Sequence, residues 1–264
     1  MPQELIGAAF GLGFPFLMTT AGAATVFCLR RETSAGVQRC LLGFAAGVMI
    51  AASVWSLLLP AIEAGEQMGL PGWLPAATGF VLGVLFLLGM DHLLPHIHQL
   101  AAVQEGPPNR LRRTTLLVLA VTLHNIPEGM AVGLSVALAL RSGDAAALTA
   151  AGALALGIGI QNIPEGAAVS LPLRREGLSR RAAFRTGTLT GLVEPAAGLL
   201  AAALAALLTP AMPWLLAFAA GAMLYVVVEE LIPEANFSPP HSDLGTLAAM
   251  AGFLVMMVLD VALG

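Results

Sequence analysis

A chain of 264 residues that is 58% hydrophobic and only 11% charged, with a mean hydropathy of +0.85, cannot be a soluble globular domain. The net charge of −4 comes with no basic patch, so nucleic acid is excluded as a partner and the lipid bilayer becomes the first one to consider. Apolar runs of about 20 residues recur from end to end, each long enough to cross a hydrocarbon layer of about 30 Å.

In chain order, polar, Gly/Pro and charged punctuation predicts eight transmembrane helices, at roughly 4–29, 41–64, 73–98, 114–140, 145–172, 184–208, 212–234 and 243–263. The runs are too long for strands and lack period-2 alternation, so the backbone must satisfy itself as helices, in an all-α membrane protein with one domain over residues 1–264. Span 1 has no basic residues ahead of it and is read as a retained span, not a cleavable signal. Cys28 and Cys40 flank the first loop and are assigned no function.

Every basic residue is an arginine, and the arginines set the orientation. Arg30, Arg31 and Arg39 follow span 1; Arg110, Arg112 and Arg113 follow span 3; Arg174, Arg175, Arg180, Arg181 and Arg185 follow span 5. Only Arg141 lies on the opposite side, so the odd-numbered loops are expected in the cytoplasm and both termini outside it.

Two segment pairs repeat in opposite directions. Leu41–Met49 of span 2 is echoed by Leu215–Met223 of span 7, and His124–Gly129 (HNIPEG) of span 4 is echoed by Gln161–Gly166 (QNIPEG) of span 5. Inverted repeats with proline-interrupted central helices mark a secondary transporter whose site lies near the midplane.

The central pair carries the chemistry. His124 and Glu128 are four apart and share a helix face, as do Gln161 and Glu165. Pro127 and Pro164 each remove a backbone donor, which predicts kinked or broken helices crossing at this point. Two carboxylates in hydrocarbon repel and are poorly solvated, and a dication between them removes both problems. Imidazole and amide add donor atoms without charge, so an ion can still be released. Asn125 and Asn162 beside the prolines either join the ligands or mend freed backbone groups. Glu194 in span 6 and Met49 in span 2 lie at a comparable depth, at 1.5 Å of rise per residue.

Ser56 and Glu63 at the outer end of span 2 read as an entrance. Asp91, His92, His96 and His98 at the inner end of span 3, with Glu229, Glu230 and Glu234 of span 7, read as an exit able to accept the ion. The competing reading is of interfacial polar residues at helix ends.

The HNIPEG and QNIPEG motifs, the EELIPE run at Glu229–Glu234 and the eight outward-ended spans resemble the ZIP (Zrt/Irt-like) metal transporter family, in its bacterial GufA-like branch, over essentially the whole chain. The resemblance implies a 3+2+3 inverted-repeat arrangement and metal movement toward the cytoplasm across a bacterial inner membrane. It also implies a binuclear centre, with one metal held by Met49, His124, Glu128, Gln161 and Glu165 and a neighbouring one by Asn125, Glu128, Asn162, Glu165 and Glu194. Some relatives carry Asp where this chain has Asn162, so the second metal has fewer charges to hold it here.

Four functions compete: a metal carrier, a metal channel, an intramembrane metal hydrolase and a proton-coupled carrier of an organic solute. The hydrolase lacks a HExxH arrangement, and the organic-solute carrier lacks a basic residue in the central spans. The donor set suits Zn(II) first, with Cd(II), Fe(II) and Mn(II) compatible. The metal is cargo, and no cofactor is expected. The assembly state is open, a homodimer among the options.

Overall fold

The computed structural model describes residues 2–28, 34–93, 96–97, 104–105, 113–207, 209–236 and 242–263. The helices are α1 (Pro2–Cys28), α2 (Ala35–Ala52), α3 (Leu59–Gln67), α4 (Trp73–Leu93), α5 (Arg113–Ser142), α6 (Ala145–Arg175), α7 (Arg180–Gly191), α8 (Val193–Leu207), α9 (Met212–Val226), α10 (Ile232–Asn236) and α11 (Leu244–Leu263). A π turn at Ser53–Leu58 joins α2 to α3, and a second at Val227–Leu231 joins α9 to α10. Among the described residues, eight helical stretches are long and apolar enough to cross a membrane. The chain is an eight-span helical membrane protein.

Local chemistry accounts for the helix ends. Ser34, Asp144 and Ser179 cap α2, α6 and α7, each accepting from a backbone N–H in the first turn. Gly143, at a φ of +65°, allows the two-residue turn from α5 to α6, which only glycine adopts without strain. Arg39, expected in a loop, lies inside α2 and is buried, because that helix starts six residues earlier than predicted.

Three expectations about the helices are corrected. α5 and α6 are not broken at Pro127 and Pro164, since losing one backbone donor does not stop a helix that is packed against its neighbours. The breaks fall elsewhere. Span 6 is divided at Leu192, three residues before Pro195, whose ring opposes the carbonyl of Gly191. Spans 2 and 7 carry π turns ahead of Pro60 and Pro233, which lack the N–H that would continue an α ladder. Third, α4 ends at Leu93 rather than 98, ahead of Pro95, and His96–Ile97 pairs antiparallel with Gln104–Glu105.

The helices pack in two groups of four. α1, α5, α6 and the α7–α8 span form one, with α1 on α6 and α8 on α5. α2, α4, α9 and α11 form the other, with α2 on α11 and α9 on α4, while α2 meets α6 and α9 meets α5 between the groups. These pairings map onto one another when spans 1, 2, 3 and 4 are exchanged with 6, 7, 8 and 5, whereas α11 also packs on α6 with no comparable contact of α4 on α5 among the described residues. The π turns obey the same exchange, each beginning four residues after the methionine of its repeat, Met49 or Met223. So do the tight crossings: Gly252 lies against the Phe44 carbonyl and Gly83 against the Phe218 carbonyl, with no room for a Cβ at either. Lipid gives no hydrophobic drive between helices, so such small-residue contacts carry the packing.

Candidate metal centre

The motif glycines decide how closely the site helices approach. A Cβ at Gly129 on α5 would fall on the backbone of Glu194, and one at Gly166 on α6 would fall on the backbone of Thr19. Span 6 is thereby pressed against the HNIPEG segment and span 1 against QNIPEG. Of the polar residues beside these crossings, Asn125, Glu128, Gln161, Asn162 and Glu194 are buried, with Thr19 and Thr190 around them, and Glu165 is half-buried.

They form two neighbouring clusters. In the first, Gln161 Nε2 donates to Glu128 Oε1 at 2.6 Å. Both residues line a cavity of about 30 Å³ together with Met49, Glu165, Glu230 and Glu234, room enough for an ion or a water. Among the described lining residues there are four carboxylates and no cationic side chain. In the second cluster Glu194 accepts from three donors, Asn162 Nδ2 at 2.7 Å, Thr19 Oγ1 at 2.8 Å and Asn125 Nδ2 at 3.3 Å. The same amides also donate to backbone carbonyls on the flanking spans, Asn125 to Thr190 at 3.0 Å and Asn162 to Pro15 at 3.5 Å.

An ionised carboxylate only accepts, so each amide turns its NH₂ toward Glu128 or Glu194 and its oxygen away. That leaves four buried oxygens, Glu128 Oε2, Gln161 Oε1, Asn125 Oδ1 and Asn162 Oδ1, without a donor among the described residues. Buried acceptors are ordinarily satisfied, so these four oxygens, two in each cluster, are the candidates for contact with a cation.

The expected ligands therefore divide. Met49, Glu128, Gln161 and Glu165 share the cavity, whereas Asn125, Asn162 and Glu194 bond to one another. His124 stands one turn before Glu128 on α5, but its side chain lies outside the described residues. Among those that are described, no three His, Cys, Asp or Glu side chains come together as a ready metal cluster. Sequence reading missed Thr19, whose hydroxyl touches Glu194; a single Thr in an Ala/Gly-rich helix gives no signal by itself.

The entrance and exit residues fare differently. Ser56 and Glu63 line a larger pocket, about 380 Å³, shared with Asp144 and Asp260, at the end of the molecule that the arginine pattern assigns to the outside. Ser56 Oγ donates to Asp260 Oδ1 at 2.6 Å. Glu230 and Glu234 line the same cavity as Glu128 and Glu165, since their four-residue spacing puts both on one face of span 7. Glu229, one position off that face, is exposed. His92 is exposed and its Nδ1 bonds the Leu88 carbonyl at 2.7 Å, one turn back on its own helix. The side chains of Asp91 and His96, and the whole of His98, lie outside the described residues.

The family model described as ZIP Zinc transporter matches residues 104–260, more than half the chain. The chain belongs to the ZIP family. It is 39% identical to the zinc transporter ZIP11 of Homo sapiens, over 99% of this chain and 97% of that protein. The zinc transporter ZIPB of Bordetella bronchiseptica is 41% identical over 98% of this chain and 81% of its own length. The zinc transporter GufA of Myxococcus xanthus is 39% identical over 98% and 96%. These relatives are named as transporters and not as enzymes, which removes the hydrolase from the competing functions of this ZIP protein.

Proposed function

We propose that this ZIP protein carries a divalent transition metal, zinc first, toward the cytoplasm through the cavity between α2, α5, α6 and the second π turn. The observation that carries the reading is a void of about 30 Å³ lined by Met49, Glu128, Gln161 and Glu165, at which the buried Glu128 Oε2 and Gln161 Oε1 have no donor among the described residues. Carboxylates that face one cavity in a low-dielectric interior repel one another, and a dication between them relieves that. The thioether of Met49 and the amide oxygen of Gln161 favour a borderline-soft ion such as Zn(II) or Cd(II), with Fe(II) and Mn(II) less well matched. His124 on the same face as Glu128 adds an imidazole to the set.

The route starts in the acidic outer pocket, passes the central cavity and leaves past Glu230 and Glu234 on the arginine-rich side, which faces the cytoplasm of the inner membrane. The main helix pairings that survive exchange of spans support a 3+2+3 inverted repeat, the architecture in which alternating access turns around a midplane site. Asn125, Asn162 and Glu194 hold a second, weaker ion beside the first.

Zinc uptake by His124→Ala and Glu165→Ala variants tests the reading. Each abolishes uptake while insertion is retained. Wild-type rates in both, at matched expression, would mean that these residues only pack helices.

A further inference from the structure

The exchange that relates the two halves pairs particular atoms at the amide cluster. Gly129 presses on the backbone of Glu194 and Gly166 on that of Thr19. Asn125 donates to the carbonyl of Thr190, and Asn162 to that of Pro15. Thr190 lies four residues before Glu194, and Pro15 four before Thr19. Thr19 therefore occupies in span 1 the position that Glu194 occupies in span 6, and the two side chains meet, Thr19 Oγ1 donating to Glu194 Oε1 at 2.8 Å. Both are buried. Gly191 keeps them together: a Cβ there would lie 2.8 Å from Thr19 Cγ2 and 3.1 Å from Glu194 Oε1.

We propose that Thr19 is the specificity-determining counterpart of Glu194, the position at which the first half carries a hydroxyl in place of a carboxylate and so limits the amide cluster to one negative charge. The inference rests on the metal-transport reading of the site. With one carboxylate and two amide oxygens, the cluster holds a dication loosely enough to let it go; a second carboxylate would hold it. When the ion is absent, the Thr19 hydroxyl and the two amides supply the three hydrogen bonds that a lone buried carboxylate needs. Asp is close to Thr in size, so Thr19→Asp puts a charged oxygen where Oγ1 now sits.

The test uses the full chain, zinc titration in detergent and zinc flux in liposomes. Thr19→Asp is expected to tighten the weaker zinc about tenfold or more, since ligand charge count sets affinity at such sites, and to slow flux. The exchanged variant Thr19→Asp with Glu194→Gln has one carboxylate again, on the opposite span, and is expected to return the weaker zinc and the flux toward wild type. Because it buries no extra charge, it decides the matter even where Thr19→Asp alone does not fold. A folded Thr19→Asp protein with the wild-type zinc isotherm overturns the proposal, as does an exchanged variant that folds and loses the weaker zinc. A wild-type chain that binds no zinc ends the reading of the whole site, a failure distinct from either.

Discussion

The two halves of this transporter use one backbone device with two sets of side chains. Against span 6, Gly129 admits the backbone of Glu194 and Asn125 reaches past it to Thr190; against span 1, Gly166 admits Thr19 and Asn162 reaches Pro15. Glu128 and Glu165 recur at matching places, but His124 is answered by Gln161 and Glu194 by Thr19. Geometry is duplicated and charge is not. A repeat fixes where ligands stand, and the unlike residues then decide how many charges the ion meets.

If the shared carboxylates hold the cargo, removing either half's copy should be equally damaging. Glu128→Gln and Glu165→Gln are each expected to lower zinc flux in liposomes by about a hundredfold or more, the scale on which loss of a charged ligand acts. A large loss in one and none in the other would mean that the halves differ in role as well as in side chain.

The backbone device predicts a second equivalence. Gly129→Ala and Gly166→Ala each force a Cβ against a neighbouring backbone, and overpacking of this kind costs about 1–3 kcal/mol. Thermal melting of the solubilised protein should fall by similar amounts in both, whereas Gly13→Ala and Gly152→Ala, in helices where a Cβ meets nothing within 4 Å, should not lower it and should raise it slightly. Unequal shifts between Gly129 and Gly166 would break the comparison at the level of packing.

The amide cluster distinguishes the halves most finely. Asn162→Asp replaces a donor to Glu194 with a carboxylate facing it, unfavourable when empty and favourable around a cation. The weaker zinc is expected to bind about tenfold more tightly, by the same dependence of affinity on ligand charge. Two equally tight ions in the wild type, unchanged by Asn162→Asp, would leave the cluster without a part in ion binding.

Much of this was legible in the residues. Long apolar runs gave the eight spans, and the duplicated i, i+4 pairs singled out the side chains that line the cavity. What was hidden depended on neighbours. Pro127 and Pro164 looked like breaks, but the surrounding helices keep α5 and α6 continuous. Pro60, Pro195 and Pro233 drew no notice as helix breakers, yet a π turn, a helix break and a second π turn precede them. That Glu230 and Glu234 share a cavity wall with Glu128 and Glu165 was hidden, because depth counted along span 7 says nothing of the wall they face. Thr19 was invisible because its importance comes from the residue it meets on another span, 175 positions away.

The smallest effect is expected at the outer pocket, and its form matters more than its size. Glu63 and Asp144 are exposed at the rim, while Asp260 is buried at the pocket wall with the Ser56 hydroxyl on its carboxylate. Exposed rim charges do not hold an ion in place; they raise its concentration at the entrance, and salt weakens that field over about 8 Å at physiological ionic strength. Glu63→Gln and Asp144→Asn should therefore raise the KM for zinc flux about two- to threefold in low salt and leave kcat alone. The difference from wild type should vanish near 1 M salt, where the screening length falls to about 3 Å. A drop in kcat that persists in high salt would instead place Glu63 or Asp144 on the ion itself. The outer pocket would then be a binding site in its own right, with Asp260 and Ser56 as its base.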